Sequence, residues 1–389
     1  MLQGSFALIF LIILFHIFKL QKQDLDLSVC FSLVTLFILN LLVNFIKKSV
    51  SNLIEDDIKL DSDYENLNRY YINDKFKFTN INIKKGNKEY VYPIILDSDL
   101  RNKKIIINDS KNMYALPNFV SNNYEELMTS HSSSYVYNQL NIRIKNWYEK
   151  DDTFIMDTER TTYFNSLVTN RSVDFKLKQG LSIRDVLCYG PYLPSLETSS
   201  LSNHIGINGL VETKDGFFPL IKRMENLSIG KRTYGLSIGA SIKTKYALDS
   251  NGIFYYDKLI YSIKQEVCDE LRTSIDRIIN EEQSCMYAAY RDLVEGGKPQ
   301  LFVYFKLLDT KDDLTKKIKT HRKQNKKTTI IDGYKILWIK KDKTIPQSGV
   351  RVFPNKFIYT KEKCLLKLPH KMVPSASACL GFAINFGLL

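Results

Sequence analysis

The sequence predicts an α+β protein with an N-terminal two-helix transmembrane hairpin and a larger mixed region behind it. Three observations carry that expectation. Two stretches without Lys, Arg, Asp or Glu lie within the first 46 residues. Short β-rich runs recur between turn signals from about residue 75 onward. An apolar stripe at helical spacing runs through Asp257 to Glu282.

Taken in order, Gly4 to Phe18 and Leu27 to Ile46 are the apolar stretches. The second is twenty residues long, which as a helix spans about 30 Å, the thickness of a bilayer's hydrocarbon core. The first lacks the basic n-region and small-residue cleavage site of a signal peptide. Lys47 and Lys48 follow directly. By the positive-inside rule they leave the bulk of the chain cytoplasmic, in a multi-pass membrane protein. Asn40 and Asn44 share one face of the second stretch and would seek amide partners on another helix, favouring a homo-oligomer. The lipid bilayer and further copies of the chain are therefore expected partners. The domain reading is a hairpin over 1–48, a connector over 49–74, a small β-containing region over 75–150 and a ligand-binding domain over 151–389.

Composition supports an anionic partner for the rest. The chain carries 55 Lys and Arg against 42 Asp and Glu, a formal charge of +13, and 44% of its 389 residues are apolar. That excess suits phosphates or an acidic lipid face. The six cysteines include no C-x-x-C pair, which argues against a disulfide scaffold or a structural zinc. No cofactor is expected, since neither G-x-x-x-x-G-K-[ST] nor G-x-G-x-x-G occurs.

Along the soluble part, "TNINIKK", "EYVYPIIL" and "KKIIIND" read as strands. Ser182 reads as an N-cap before "IRDVL". "GLVETKDGFFPLIKR", Gly209 to Arg223, reads as two strands turning at Lys-Asp-Gly, a hairpin signal. The Gly-punctuated "YGLSIGASIKTKYAL" follows. The Asp257–Glu282 helix carries Glu266, Asp269 and Glu270 on a second face. That trio reads as a solvated acidic stripe, with Glu266 and Glu270 the candidates if a cation is held. A further helix is expected near Ser284 to Val294, then a Gly-Gly-Lys-Pro turn and the buried strand "QLFVYFKLL". "KKIKTHRKQNKK", Lys316 to Lys327, reads as a solvated basic face. Pro374 opens an apolar C-terminal helix.

The segments "YFNSLVTNRSVDF", "LSNHIGINGLVETKDGFFPLIKR", "LSIGKRTYGLSIGASIKTKYAL" and "IKQEVCDEL" resemble the SMODS-associated NUDIX-like domain of bacterial anti-phage (CBASS) effectors. The resemblance covers Tyr163 to about Ser284. It implies a NUDIX-like α/β/α sandwich. It also implies a cyclic oligonucleotide ligand made by a cognate cGAS/DncV-like nucleotidyltransferase, linked to this chain through its product. By the same resemblance the membrane is the bacterial inner membrane, and occupancy would drive oligomerisation, disruption of that membrane and abortive infection.

Hydrolysis is not expected. An active NUDIX box reads G-x5-E-x7-R-E-U-x-E-E-x-G-U, and its glutamates hold the metal that polarises the diphosphate. With Glu270-Leu271 as the E-U pair, Asp269 stands at the arginine and Thr273 and Ser274 at the paired glutamates. With Arg277 as the arginine, Glu281 and Glu282 fall at the paired glutamates, but Ile278 replaces the leading glutamate and Ile263 stands at the opening glycine. No residue is therefore expected to be catalytic. His204, Lys222, Arg223, Lys231, Arg232, Lys243 and Lys245 are the expected phosphate contacts, with Tyr234 or Tyr246 to stack on a base. Two alternatives use the same residues differently. One is a membrane-anchored nucleotide pyrophosphatase with a degenerate box. The other is a passive scaffold for a protein partner.

Overall fold

A computed structural model describes residues 39–40, 42–43, 71, 83–85, 88–90, 94–132, 134, 136–224, 233–279, 285–324, 333–340, 350–353, 356–359 and 370–388. The chain divides into two compact units, Met1–Asp56 and Asp57–Leu389. In the first unit, only residues 39–40 and 42–43 are described, and they are helical.

The predicted transmembrane hairpin, and with it the multi-pass membrane location, is corrected. Among the described residues no helix is long and apolar enough to cross a membrane. The longest, Tyr256–Leu271, has 16 residues and reaches about 24 Å, short of a hydrocarbon core of about 30 Å. Most of both predicted spans, Asn44 included, lies outside the described residues; Asn40 is an exposed helical residue. The fold class becomes mixed α/β, with several sheets and eight helices among the described residues.

The strands are β1 (Ile83–Lys85), β2 (Lys88–Tyr90), β3 (Ile94–Asp99), β4 (Lys104–Met113), β5 (Leu140–Lys150) and β6 (Thr153–Thr162). They continue with β7 (Gly206–Glu212), β8 (Phe217–Arg223), β9 (Tyr234–Gly235), β10 (Ile238–Ser241), β11 (Met286–Asp292) and β12 (Lys298–Lys306). Last come β13 (Gly333–Lys340), β14 (Val350–Phe353), β15 (Lys356–Tyr359) and β16 (His370–Lys371). The helices are α1 (Asn118–Asn122), α2 (Tyr124–Thr129), α3 (Tyr163–Leu167), α4 (Ile183–Leu187), α5 (Thr244–Ala247), α6 (Tyr256–Leu271), α7 (Lys311–Gln324) and α8 (Pro374–Asn385).

A five-stranded mixed sheet in the order β10-β7-β12-β11-β3 organises the second unit. Strand β12 runs parallel to β7 and antiparallel to β11. Its side chains alternate faces, as the pleat requires. Leu301, Val303 and Phe305 join the core beneath α6, with Leu259, Ile263, Val267 and Leu271. Phe302 and Tyr304 join the opposite core beneath α8, with Leu380, Phe382 and Ala383. Both faces are covered, which is why "QLFVYFK" is an unbroken apolar run rather than an alternating one. Each fully buried Leu, Val or Phe there contributes roughly 1.5–3 kcal/mol. The antiparallel three-stranded sheet β13-β8-β9 adds Phe218 and Leu220 to the α8 core, while β4-β6-β5 adds Ile142, Ile144, Phe154 and Met156 to the α6 core.

Three local expectations change. Strands β7 and β8 turn at Thr213–Gly216, with Gly216 at φ 78° and Thr213 N donating to Phe217 O at 2.9 Å. They do not continue as a hairpin. Strand β7 is already paired on both edges by β10 and β12, so β8 pairs with β13 and β9 instead. The helix expected over Ser284–Val294 is strand β11, held between β12 and β3; pairing on both edges overrides local helix preference. Helix α6 stops at Leu271 because Arg272 takes the left-handed conformation, φ 57°. The Ser182 cap is present as a reciprocal capping box with Asp185.

Candidate functional site

A cavity of about 410 Å³ opens where β7, β8, β10 and β12 meet α6 and the start of α8. Five cations line it: Arg171, Arg223, Lys243, Arg272 and Lys298. Five carboxylates line it too: Glu266, Asp269, Glu270, Asp292 and Glu295. Tyr137, Gln139, Tyr163, Asn208, Ser241, Gln300 and Ser375 add uncharged polar groups to the wall.

The inner end is built by the 3-10 turn Leu293–Glu295 and the glycines after it. Gly296 and Gly297 both have positive φ, 66° and 82°, and a Cβ on Gly297 would lie 2.5 Å from Leu193 Cδ2. Glycine is required for that reversal. It brings Glu295 and Lys298 face to face, with Lys298 Nζ 2.9 Å from Glu295 Oε2 and both side chains buried. Asp292 caps the same turn, its Oδ1 accepting from Val294 N at 2.9 Å. Asn170 Nδ2 donates to Glu295 O at 2.9 Å, which sets the adjacent Arg171 beside the pair. The Arg171 guanidinium lies 5.3 Å over the Tyr163 ring and donates to Tyr163 Oη at 3.3 Å.

These neighbours shift one another. Burial pushes the Asp292 carboxyl up to about 7, and the adjacent Glu295 carboxylate adds to that. Burial works against Glu295 ionising as well, yet the Lys298 ammonium and the Arg171 guanidinium bring it below the usual carboxylate range. Lys298 is lowered by burial, opposed by Glu295.

The outer part is formed by α6 and the strand edge facing it. Lys243 Nζ meets Glu266 Oε1 at 2.7 Å and Oε2 at 3.0 Å. Burial alone would lower Lys243; the Glu266 carboxylate outweighs it and the lysine is raised. Tyr246 Oη donates to Asp269 Oδ2 at 3.3 Å, and Lys245 Nζ sits 4.9 Å over the Tyr246 ring.

The sequence-nominated residues are distributed unevenly over this site. Arg223, Lys243, Glu266 and Glu270 line the cavity. The acidic trio of α6 is split: Glu266 is 3% exposed, Asp269 is exposed and Glu270 half-buried, while all three line the cavity. His204 is fully buried behind the wall, its Nε2 2.9 Å from the Oγ of the cavity-lining Ser241. Burial, with Lys298 and Arg171 nearby, depresses its ring far below the usual histidine range. Tyr234 belongs to the α8 core. Lys222 faces Lys335 and Tyr234 in the strand register, away from the cavity lining. Lys245 and Tyr246 buttress Asp269 from outside the lining. Lys231 and Arg232 lie outside the described residues.

Arg171, Asp292, Glu295, Lys298 and Gln300 were not nominated. A signal for two of them exists in "KPQLFVYFK": Lys298 and Gln300 stand at alternate positions of a strand that is otherwise buried and apolar. Polar groups on a core-facing register are costly without partners, so they mark a lined cavity. Among the described residues no group of three His, Cys, Asp or Glu side chains is arranged to hold a metal ion.

No family model matches the chain, and no curated protein does. Among solved structures, the crystal structure of DR0079 from Deinococcus radiodurans is similar at 14% identity. The similarity covers 35% of this chain and 67% of that one, with a TM-score of 0.22. A likeness that slight carries no argument about fold or function.

Proposed function

We propose that the cavity binds a nucleotide, specifically a cyclic oligonucleotide, and that the chain senses this ligand rather than hydrolysing it. The observation that carries the reading is the double chemistry of one wall. Guanidinium and ammonium groups suit phosphate oxygens. Carboxylates and amides suit the N–H edges of bases and the ribose hydroxyls. A bare polyphosphate would meet five carboxylates with nothing to offer them, whereas a nucleotide answers both sets. The volume of about 410 Å³ falls within the roughly 300–1,000 Å³ of small-molecule sites. Tyr137 supplies an aromatic face at the wall. The cyclic class of the ligand comes from the resemblance of Tyr163–Ser284 to NUDIX-like domains of anti-phage systems.

Sensing is favoured over hydrolysis by the Lys243–Glu266 pair. Glu266, one of the two carboxylates nominated for a cation, is already bound at 2.7 Å to an ammonium. A second reading, a pyrophosphatase, is favoured by Glu266, Asp269 and Glu270 lining one cavity.

Titration calorimetry of the full chain against cyclic di- and trinucleotides decides between them, run beside a chromatographic assay with Mg²⁺ or Mn²⁺ and nucleoside diphosphates. Saturable heat with a cyclic oligonucleotide and no product supports the sensor. Turnover lost in Glu266→Gln or Glu270→Gln replaces it with the pyrophosphatase. No heat across the panel removes the ligand class.

A further inference from the structure

Neighbouring strands β7 and β12 each bring one carboxamide to the cavity, Asn208 and Gln300. Gln300 stands opposite Gly206 in the parallel register. A Cβ on Gly206 would lie 2.0 Å from Gln300 Oε1, so the glycine is what lets this amide lie against β7. Across β10 the residue opposite Asn208 is Gly239, which has no side chain to cover it.

Behind the two amides lies a buried hydroxyl network. Asn208 Nδ2 is 2.8 Å from Tyr290 Oη, 3.2 Å from Ser375 Oγ and 3.3 Å from Gln300 Oε1. Tyr290 Oη is in turn 2.6 Å from Ser375 Oγ and 3.2 Å from Cys379 Sγ. Counting protons fixes which way the amides face. Tyr290 and Ser375 carry one hydroxyl proton each. With Asn208 turned over, its oxygen would supply none, and two protons would have to serve three contacts: Asn208–Tyr290, Asn208–Ser375 and Tyr290–Ser375. With Nδ2 toward the hydroxyls, every one of the three is supplied. Gln300 then turns Oε1 to Asn208 Nδ2, since the reverse would set one NH2 against another.

What remains for the cavity is one acceptor, Asn208 Oδ1, and one donor, Gln300 Nε2. Among the described residues neither atom has a protein hydrogen-bond partner. Gln300 is 5% exposed, and an amide so placed is costly while its N–H groups lack an acceptor.

Resting on the nucleotide reading above, we propose that Asn208 Oδ1 and Gln300 Nε2 form a subsite for the edge of a nucleobase. Oδ1 accepts an N–H of the base, and Nε2 donates to the ring nitrogen or carbonyl oxygen beside it. A phosphate has no N–H for Asn208, and a hydrocarbon ring has neither group. The hydroxyl network holds both amides, so the order of acceptor and donor is fixed. A base presenting its groups in the reverse order meets donor against donor, and a buried polar group left unpaired discriminates strongly.

The experiment is calorimetry of the full chain with cyclic dinucleotides of adenine, guanine, cytosine and uracil, beside saturation-transfer NMR with the four free nucleosides. Gln300→Met should weaken the favoured cyclic dinucleotide about tenfold and narrow the spread of affinities among the four bases. Gln300→Glu keeps Oε1 for Asn208 and puts an acceptor where Nε2 stood, so it should change which base is favoured. A base-selective change in either variant supports the subsite. A loss equal for all four bases, or no loss, in both variants overturns it and leaves the nucleotide reading standing. A base-selective nucleoside signal lost in Gln300→Met, with no cyclic dinucleotide bound, keeps the subsite and removes the cyclic ligand. No binding of either kind removes both.

Discussion

Two regions of the molecule bury charge, and they do it differently. On the β4–β6 sheet, Arg160 and Asp109 form a bidentate pair, Nη1 to Oδ1 and Nη2 to Oδ2, both at 2.6 Å. Asp109 accepts further bonds from Thr158 Oγ1 and Phe254 N, each at 2.9 Å, while Arg160 donates to Gly252 O at 3.1 Å. These bonds tie β4, β6 and the loop before α6 into one frame. At the inner end of the cavity, Lys298 and Glu295 meet by one contact of 2.9 Å, with further charges crowded about them. The first arrangement spends its hydrogen-bonding capacity within the fold. The second retains capacity toward an open space. Buried charge by itself therefore does not mark a site; what its remaining donors and acceptors face does.

The comparison can be broken at its structural side first. Asp109→Ala leaves the Arg160 guanidinium buried without its carboxylate, and the chain should lose about 3–5 kcal/mol of stability in urea unfolding. A loss under about 1 kcal/mol would show the pair to be no more than a surface-type bridge.

The double variant Glu295→Gln/Lys298→Met sharpens the other side. Removing both partners of the buried pair together leaves neither of them behind as an orphan charge. Its unfolding free energy should stay within about 2 kcal/mol of the parent. Loss of folding in that variant would move Lys298–Glu295 into the same class as Arg160–Asp109.

The smallest effect is a pH slope. Asp292 holds its proton more tightly folded than unfolded, since its folded value rises from 3.8 to about 7. Its contribution to stability is thus fully present below pH 3.8 and is lost as pH rises through about 7. The slope is at most about 1.4 kcal/mol per pH unit. Asp292→Asn should remove this component from a stability–pH curve between pH 4 and 7.5, values on the order set by that shift. A curve of the same shape in both proteins would place the titration on another group.

Much of the local structure was legible in the residues. Ser182 and Asp185 announce the start of α4 by their spacing, because a capping box is a contact within four residues. The stripe Leu259, Ile263, Val267 and Leu271 announces α6 in the same way. The end of α6 was not legible, since Arg272 gives no glycine-like cue for its left-handed conformation. Nor was the fate of β7 and β8: the Lys-Asp-Gly turn is there, but what each strand pairs with depends on segments such as β12 and β13, about 90 to 115 residues away in sequence. The site divides likewise. Arg223 and Lys243 stand out as cations near glycines, whereas Arg171 is placed at the cavity through its neighbour Asn170, fastened to Asn203 and to Glu295, 33 and 125 positions later.

By itself, then, the sequence determined those features whose interactions close within a turn or two of chain: the capped starts, the amphipathic stripe of α6, the strand character of "QLFVYFK" and the apolar helix begun at Pro374. Tertiary structure alone decided which strands share a sheet, that Glu266 is a buried ion-pair partner and not part of a solvated stripe, and that Arg171, Arg223 and Lys298 line one cavity with Glu295. Periodicity and capping are properties of neighbouring residues. Burial and the field of distant charges are properties of the packed whole, and no local pattern of residues encodes them.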